Sequence, residues 1–337
     1  MIVFQQNDKK IEHLINALSS IRIKAKGVSS SMILTPFFTI KMILRGEKPE
    51  VYVFRYINDR KSFFFTFLRY FSEILQILIC KKFNIKIWWL CHNIDKETKL
   101  YHPTINKLRR KAVKKAAIRI FTTNRLLIPK AKEVFPNKRV DALSFGYMEG
   151  KFSESIAEND ETDKEIISWI NQRKNDKSKF IFCVGSPAKK SIHFKHITKF
   201  IEVINSNSDY NWYAIVIGNS VQKTTMLYNV SHRHFLPSTI ISKYADYYYR
   251  IIDDYSISYS VFEAVHYRVP IITESYGILP TIVEQYNIGI VVDNYKVAEK
   301  HIINHNITES NFIEFEKENN WKTAANKIKE CYEIDVK

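Results

Sequence analysis

Apolar and polar positions follow two rhythms along this chain, and the rhythms take turns. Val51–Tyr56 (VYVFRY) is β-branched and aromatic, the composition that fits a pleated strand. The apolar stretch Ser62–Lys82 follows at helical length, and Ile85–Cys91 (IKIWWLC) reads as a strand again. A polar loop, HNIDKETKLYHP, leads into a helical pattern over Thr104–Ala117, a strand at Ala117–Thr123 and a helix near Leu126–Val134. Strands alternating with helical patterns of this length predict βαβ units and a parallel sheet.

The alternation pauses over Lys151–Lys179, which is polar and charged and reads as a connection carrying one short helix. It resumes with strands at Phe180–Ser186, Trp212–Gly218, Tyr247–Ile252 and Val269–Thr273, and helices at His193–Asn205, Ser238–Tyr244 and Ser258–His266. A late helical pattern covers Asn311–Cys331. A chain of 337 residues can bury two cores of ordinary size. The predicted fold is therefore α/β, with two Rossmann-like doubly wound domains facing across a cleft. The expected division is residues 1–150, a linker at 151–179, a second domain at 180–310, and a C-terminal helix at 311–337 packing back on the first domain. Ligands of such sheets lie beyond the carboxyl ends of the strands, so the cleft is the expected active site.

Charge sharpens this division. Residues 1–150 carry 29 Lys and Arg against 11 Asp and Glu, a balance of +18, while the remainder carries 22 against 24, or −2. A field so lopsided attracts polyanions: nucleic acid, anionic lipid headgroups or phosphorylated substrates. No helix-turn-helix, zinc or RNA-recognition signature accompanies it, so nucleic acid is not expected as a partner. Cys80, Cys91, Cys183 and Cys331 are widely spaced, as buried thiols of a reducing cytosol would be. The apolar run Ser62–Cys80 is interrupted by Arg69 and Glu73, which a spanning helix would have to bury in lipid. It reads as a core helix able to touch a membrane surface.

Chemistry concentrates in two stretches. In VGSPAKKS (Val184–Ser191) a strand runs through Gly185 and Ser186 and past Lys189 and Lys190 into a helix, an arrangement suited to phosphate or pyrophosphate. The Gly-Lys-Ser/Thr ending of a Walker A loop is missing. In FEAVHYRVPIITESYGILPTIVEQYNIGIVV (Phe262–Val292) a single carboxylate, Glu263, sits in an apolar helical run. Near a helix start it benefits from the dipole and could hold a vicinal diol. The bland alternative places Glu263 outward in solvent, as for most helical Glu.

Together the two stretches resemble the C-terminal domain of nucleotide-sugar glycosyltransferases with the GT-B fold, especially the family 4 group. The resemblance covers residues 180–292, with WWLCHN (Trp88–Asn93) the matching point in the first half. It implies transfer of a hexose-type sugar from a UDP- or GDP-type donor, with no cofactor and no metal. Carried over, Glu263 would hold the ribose, and Ser258 and Ser260 would face the phosphates. Gly277, Ile278 and Leu279 would offer backbone N–H groups, and Lys189 or Lys190 would neutralise the leaving pyrophosphate. The sequence departs from the pattern at Tyr255, where a Glu is expected, with Asp254 the adjacent carboxylate. Ser186 stands for the phosphate-loop Arg, Ser191 for its Lys, and Thr281 for the Glu after Pro.

After WWLC, the loop holds His92, Asp95, Glu97 and His102; the first three are base candidates for an inverting reaction. For a retaining one the resemblance assigns His92 to donor contact. The basic helix Ile105–Arg119 carries seven Lys and Arg, with Ile105, Leu108, Ala112 and Ala116 at core spacing. Arg109, Arg110, Lys114 and Lys115 are its expected contacts with acceptor or anionic lipid. The expected acceptor is a glycan or a lipid-pyrophosphate-linked glycan, used by a cytoplasmic protein peripherally bound to the inner face of the plasma membrane. A catalytically impaired homologue acting as a donor-binding or scaffold subunit, and a nucleotide-sugar epimerase, are the competing readings.

Overall fold

A computed structural model describes residues 1–28, 31–95, 101–148, 161–183, 191–217, 224–230, 236 and 238–336. The chain packs as two compact units. One holds Met1–Met148, Asp254–Ser256 and the chain from Glu318 on; the other holds the intervening segments, ending at Asp253 and running again from Ile257 to Lys317.

The first unit carries strands β1 (Ile2–Phe4), β2 (Ala25–Gly27), β3 (Val51–Phe54), β4 (Lys86–Leu90), β5 (Arg119–Thr122) and β6 (Arg139–Ala142). All pair in parallel in the order β2-β1-β3-β4-β5-β6. Helices α1 (Lys9–Ser20), α2 (Thr35–Leu44), α3 (Phe63–Lys82), α4 (Pro103–Ala116) and α5 (Ile128–Val134) connect them. Asp8 starts α1 by accepting from the Ile11 N–H at 3.1 Å, and Ile11, Leu14 and Leu18 bury one stripe. Strand β4 lies inside the sheet, and Trp88 and Trp89 are both buried there.

Helix α4 turns a different face inward from the one expected. Asn106, Arg109 and Val113 are buried, whereas Leu108 is 46% exposed. The reason is a buried ion pair: the Arg109 guanidinium bonds both Glu73 oxygens of α3, at 2.8 and 2.6 Å, and the Asn58 carbonyl at 3.1 Å. Arg109 is therefore unable to meet a lipid or acceptor, and that expectation is corrected. Arg110 is half-buried, bonded to the Asn93 and Ile94 carbonyls and stacked over Trp89. The half-buried Lys114 bonds the Val134 carbonyl at 2.8 Å, and Lys115 alone of the four is exposed.

The second unit carries β7 (Ser178–Cys183), β8 (Asn211–Ile217), β9 (Leu227–Val230), β10 (Tyr247–Tyr249), β11 (Ile271–Thr273) and β12 (Gly289–Val291). They pair in parallel in the order β12-β11-β10-β7-β8-β9. Its helices are α6 (Glu161–Asn171), α7 (Ser191–Asn205), α8 (Ser238–Tyr244), α9 (Tyr259–His266), α10 (Leu279–Tyr286), α11 (Ala298–Asn304) and α12 (Glu309–Glu318). Strands β11 and β12 approach so closely that a Cβ at Gly289 would overlap the Ile271 carbonyl oxygen.

The late helical pattern is two helices. Asn320 accepts from the Thr323 N–H at 2.8 Å and so starts a new helix, α13 (Trp321–Val336). Phe315 of α12 packs on Phe262 and Tyr286 in the second unit. Helix α13 packs on the first: Asp335 accepts from Trp88 Nε1 at 2.9 Å and from Arg119 at 2.8 and 3.0 Å.

Candidate functional site

In each sheet the chain runs outward to one side and then jumps back to the other, leaving a crevice at the carboxyl ends of the two strands that flank the jump. Doubly wound sheets bind ligands in that position. In the first unit the jump falls between β1 and β3, and in the second between β7 and β10.

The crevice of the first unit is built on Arg55, the buried residue after β3. Its backbone N–H donates to Gln5, the residue after β1, at 2.9 Å. Its guanidinium pairs with Asp8 at 2.7 Å, donates to the Tyr56 hydroxyl at 3.1 Å, and donates through Nε to His92 Nε2 at 3.2 Å. His92, beyond β4, stacks on Tyr56 at 4.5 Å and lies 5.9 Å from Phe145. Phe145 continues to Trp321, which stacks on His13. Burial, then the charges of Arg55 and Lys10, hold the His92 imidazole well below its ordinary value. A neutral ring whose Nε2 accepts from Arg55 carries its proton on Nδ1. Such a ring presents a donor rather than a free base.

The other residues of that loop divide. Asp95 is exposed, and Glu97 lies outside the described residues. His102 precedes α4, and its ring bonds the Lys61 carbonyl at 3.1 Å, a structural position. Asp254 and Tyr255 belong to this unit. The Tyr255 carbonyl accepts from the Ile94 N–H at 3.3 Å, Lys130 lies over its ring at 5.2 Å, and Asp254 is buried and bonded by the Ser256 hydroxyl.

In the second unit Glu263 is buried, which removes the solvent-facing alternative. Ser260 and Glu263 stand three residues apart on α9 and share a face, both buried. The remaining turns bury Val261, Phe262, Ala264 and Val265. Ser258 is the extended residue before the helix, and its hydroxyl lies 2.9 Å from that of Ser260 instead of capping the helix. Between β11 and α10, Gly277 adopts φ +64, a left-handed turn that glycine takes without strain. Residues 275–277 are exposed, and Ile278 and Leu279 are buried. Gly185, Ser186, Lys189 and Lys190 fall outside the described residues, between the end of β7 and the start of α7.

Two groups here escaped the sequence reading. Glu274, the residue after β11, is buried; Oε2 lies 2.8 Å from His196 Nδ1 of α7, and Oε1 accepts from the Tyr249 hydroxyl. Tyr295 also bonds it. Burial, then Glu274 itself, pushes both phenols up, so they stay protonated and donate. Glu274 thereby ties the Gly277 loop to β10 and to the helix that opens after residue 190. The second group is Arg250, buried at the end of β10. Its positive charge acts on the Cys183 thiol at the end of β7, where burial is the stronger influence and pushes the thiol up to about 11. Arg250 thus marks the crevice of this sheet. In both cases the signal was a charged residue directly after a strand.

No family model matches the sequence, and no curated protein matches it. Solved structures do match in fold. A sucrose-phosphate synthase from Thermosynechococcus elongatus is 11% identical, with 99% of this chain and 98% of that chain covered and a TM-score of 0.65. Anabaena HepE, solved with UDP, is 10% identical, with 99% of each chain covered and a TM-score of 0.60. A UDP-GlcNAc 2-epimerase from Methanocaldococcus jannaschii is 14% identical, covering 98% of this chain and 99% of that one at a TM-score of 0.51. Two parallel six-stranded sheets, each with its crevice, and these likenesses over nearly the whole length together show that the chain has the GT-B fold.

Proposed function

We propose that this protein is a glycosyltransferase that moves a hexose-type sugar from a UDP- or GDP-type donor to a glycan or lipid-linked glycan. The product would be a surface polysaccharide or glycolipid, made at the cytoplasmic face of the plasma membrane. The observation that carries the reading is the buried Glu263, on one face with Ser260, in the unit whose sheet also presents Arg250 and the Gly277 loop. A carboxylate inside a helix of a donor-binding unit accepts both hydroxyls of a ribose.

Departure of a nucleoside diphosphate develops negative charge, and catalysis consists largely of stabilising it. Arg250, with Lys189 and Lys190, is the cation set for the pyrophosphate; the start of α9 at Ser258 adds its dipole. Gly277, Ile278 and Leu279 lie along phosphate and sugar, held in place by Glu274. His92, through Nδ1–H, donates to a hydroxyl of the transferred sugar. That role suits a retaining reaction, in which no protein base takes the acceptor proton. Asp95 and Glu97 are the base candidates for an inverting one. Asp254 and Tyr255 stand where the family pattern places contact to the transferred sugar.

The test incubates the full chain with radiolabelled UDP- and GDP-sugars and a bacterial lipid extract. Label moving into a glycan or lipid product supports the reading. Hydrolysis alone overturns it, and epimerisation without an acceptor favours the epimerase alternative, which the archaeal epimerase's fold also accommodates.

A further inference from the structure

Helices α2 and α3 of the first unit are inside out. The buried side of α3 carries Thr66, Ser72, Glu73 and Gln76 beside Ile77, Ile79 and Cys80. Those polar groups are bonded inward: Ser72 to the Met32 and Ile33 carbonyls, Gln76 to Thr39, Glu73 to Arg109. The solvent side carries Phe64 (61% exposed), Phe67 (39%), Phe71 (55%), Leu75 (41%) and Leu78 (55%), spaced at three and four residues on a single face. Helix α2 repeats the inversion. Thr35, Pro36, Thr39 and Met42 are buried, while Phe37 (64%), Ile40 (36%) and Leu44 (82%) are exposed. The two helices pack on each other, and along the surface Phe63 stacks on Phe67, which meets Phe71 edge to face.

Contiguous apolar surface on this scale marks an interaction site. Charge identifies the partner. Exposed Arg60 and Lys61 precede α3, exposed Lys81 and Lys82 end it, and exposed Lys41 and Arg45 end α2. The single carboxylate of the two helices, Glu73, is buried on Arg109. An apolar ridge with cationic ends and no exposed acid matches a layer of anionic headgroups over acyl chains. Although α3 is long and apolar enough to cross a bilayer, its inner face belongs to the core of the unit. We infer that α2 and α3 form an interfacial anchor, with Phe37, Phe64, Phe67 and Phe71 entering the headgroup–acyl boundary of an anionic phospholipid membrane. The inference rests on the transferase reading only for why the protein meets a membrane: a lipid-linked acceptor would then enter from the layer that the ridge touches.

The experiment compares the full chain with a Phe64→Ser/Phe67→Ser/Phe71→Ser variant on phosphatidylglycerol–phosphatidylcholine vesicles and on phosphatidylcholine alone, by co-sedimentation. The wild type should partition on the order of fivefold more strongly per engaged basic residue on the anionic vesicles. The variant should lose roughly tenfold in partitioning per phenylalanine, with its thermal unfolding unchanged because all three rings are exposed. Equal partitioning of variant and wild type would overturn the anchor. So would a wild-type dimer that the substitutions dissociate while vesicle binding persists, which would assign the ridge to a second copy. Nucleotide binding by the variant, read by calorimetry with UDP and GDP, separates the two claims. A variant that keeps nucleotide but loses vesicles supports the anchor, and vesicle binding without any sugar transfer defeats the transferase reading alone.

Discussion

Replacing Arg109 tests whether its charge serves the core or the surface. Its guanidinium is fully buried and the Glu73 side chain is 4% exposed, so Arg109→Met leaves a carboxylate without its bidentate partner inside the protein. Breaking a buried pair on one side costs about 3–5 kcal/mol, because the remaining charge stays desolvated. A domain of this size loses about 2–4 °C of transition temperature per kcal/mol, so the first unit should unfold roughly 6–20 °C earlier. Glu73→Leu/Arg109→Met removes both charges and their desolvation together, and should return to within about 2 kcal/mol of the parent. The assay is calorimetric unfolding of the parent, both single variants and the double variant. A single variant as stable as the parent, or a double variant losing the sum of the singles, would refute the pairing and return Arg109 to the surface. Vesicle binding by the double variant should match the parent, since the ridge does not use Arg109.

Other outcomes follow from the same structure. Glu263→Ala should weaken UDP or GDP binding by roughly 10- to 150-fold, the value of hydrogen bonds to a charged group, with calorimetric titration as the readout. Because His92 is held neutral in the folded protein, the unfolded chain takes up more protons below its ordinary value near 6.5. Stability should therefore fall as pH drops through that value in the parent and fall less in His92→Gln, measured by thermal unfolding between pH 7.5 and 5. Burial pushes Asp335 upward, but its bonds to Arg119 and Trp88 outweigh this and hold it below the carboxylate range. Its stabilisation is thus present above about pH 4 and lost as pH falls through the folded value, and Asp335→Asn should abolish that acid-side loss.

Much of the architecture was legible because β3, β4, β7 and β8 are long enough to show β-branched and aromatic runs, and the intervening helices are separated from them by polar loops. The first fifty residues were not, since β1 is only three residues long and α1 depends on one cap, Asp8. The register of α4 was misread because a salt bridge to a residue 36 positions away lets Arg109 occupy a core place that periodicity gives to Leu108. The same logic hid the orientation of α3: apolarity was read as burial, whereas side-chain bonds to Thr39, Arg109 and the Met32 carbonyl drew the polar face inward. Of the candidate site, Glu263 was legible as an unusual position because a carboxylate in an apolar run is conspicuous, and it is buried. Arg250 and Glu274 were not, because a single polar residue after a strand acquires meaning only when strand order puts it beside a crevice.

The return of α13 to the first unit has a consequence for biosynthesis. Arg119 is buried in β5, and its partner Asp335 lies 216 residues later. While the ribosome is still translating the second unit, that guanidinium has lost its principal counter-charge and β4 lacks the group that Trp88 bonds. The unit begun first is therefore the last to be completed. A nascent chain arrested before Trp321 should expose the site to proteases and chaperones, and expression of residues 1–148 alone should give an incomplete fold.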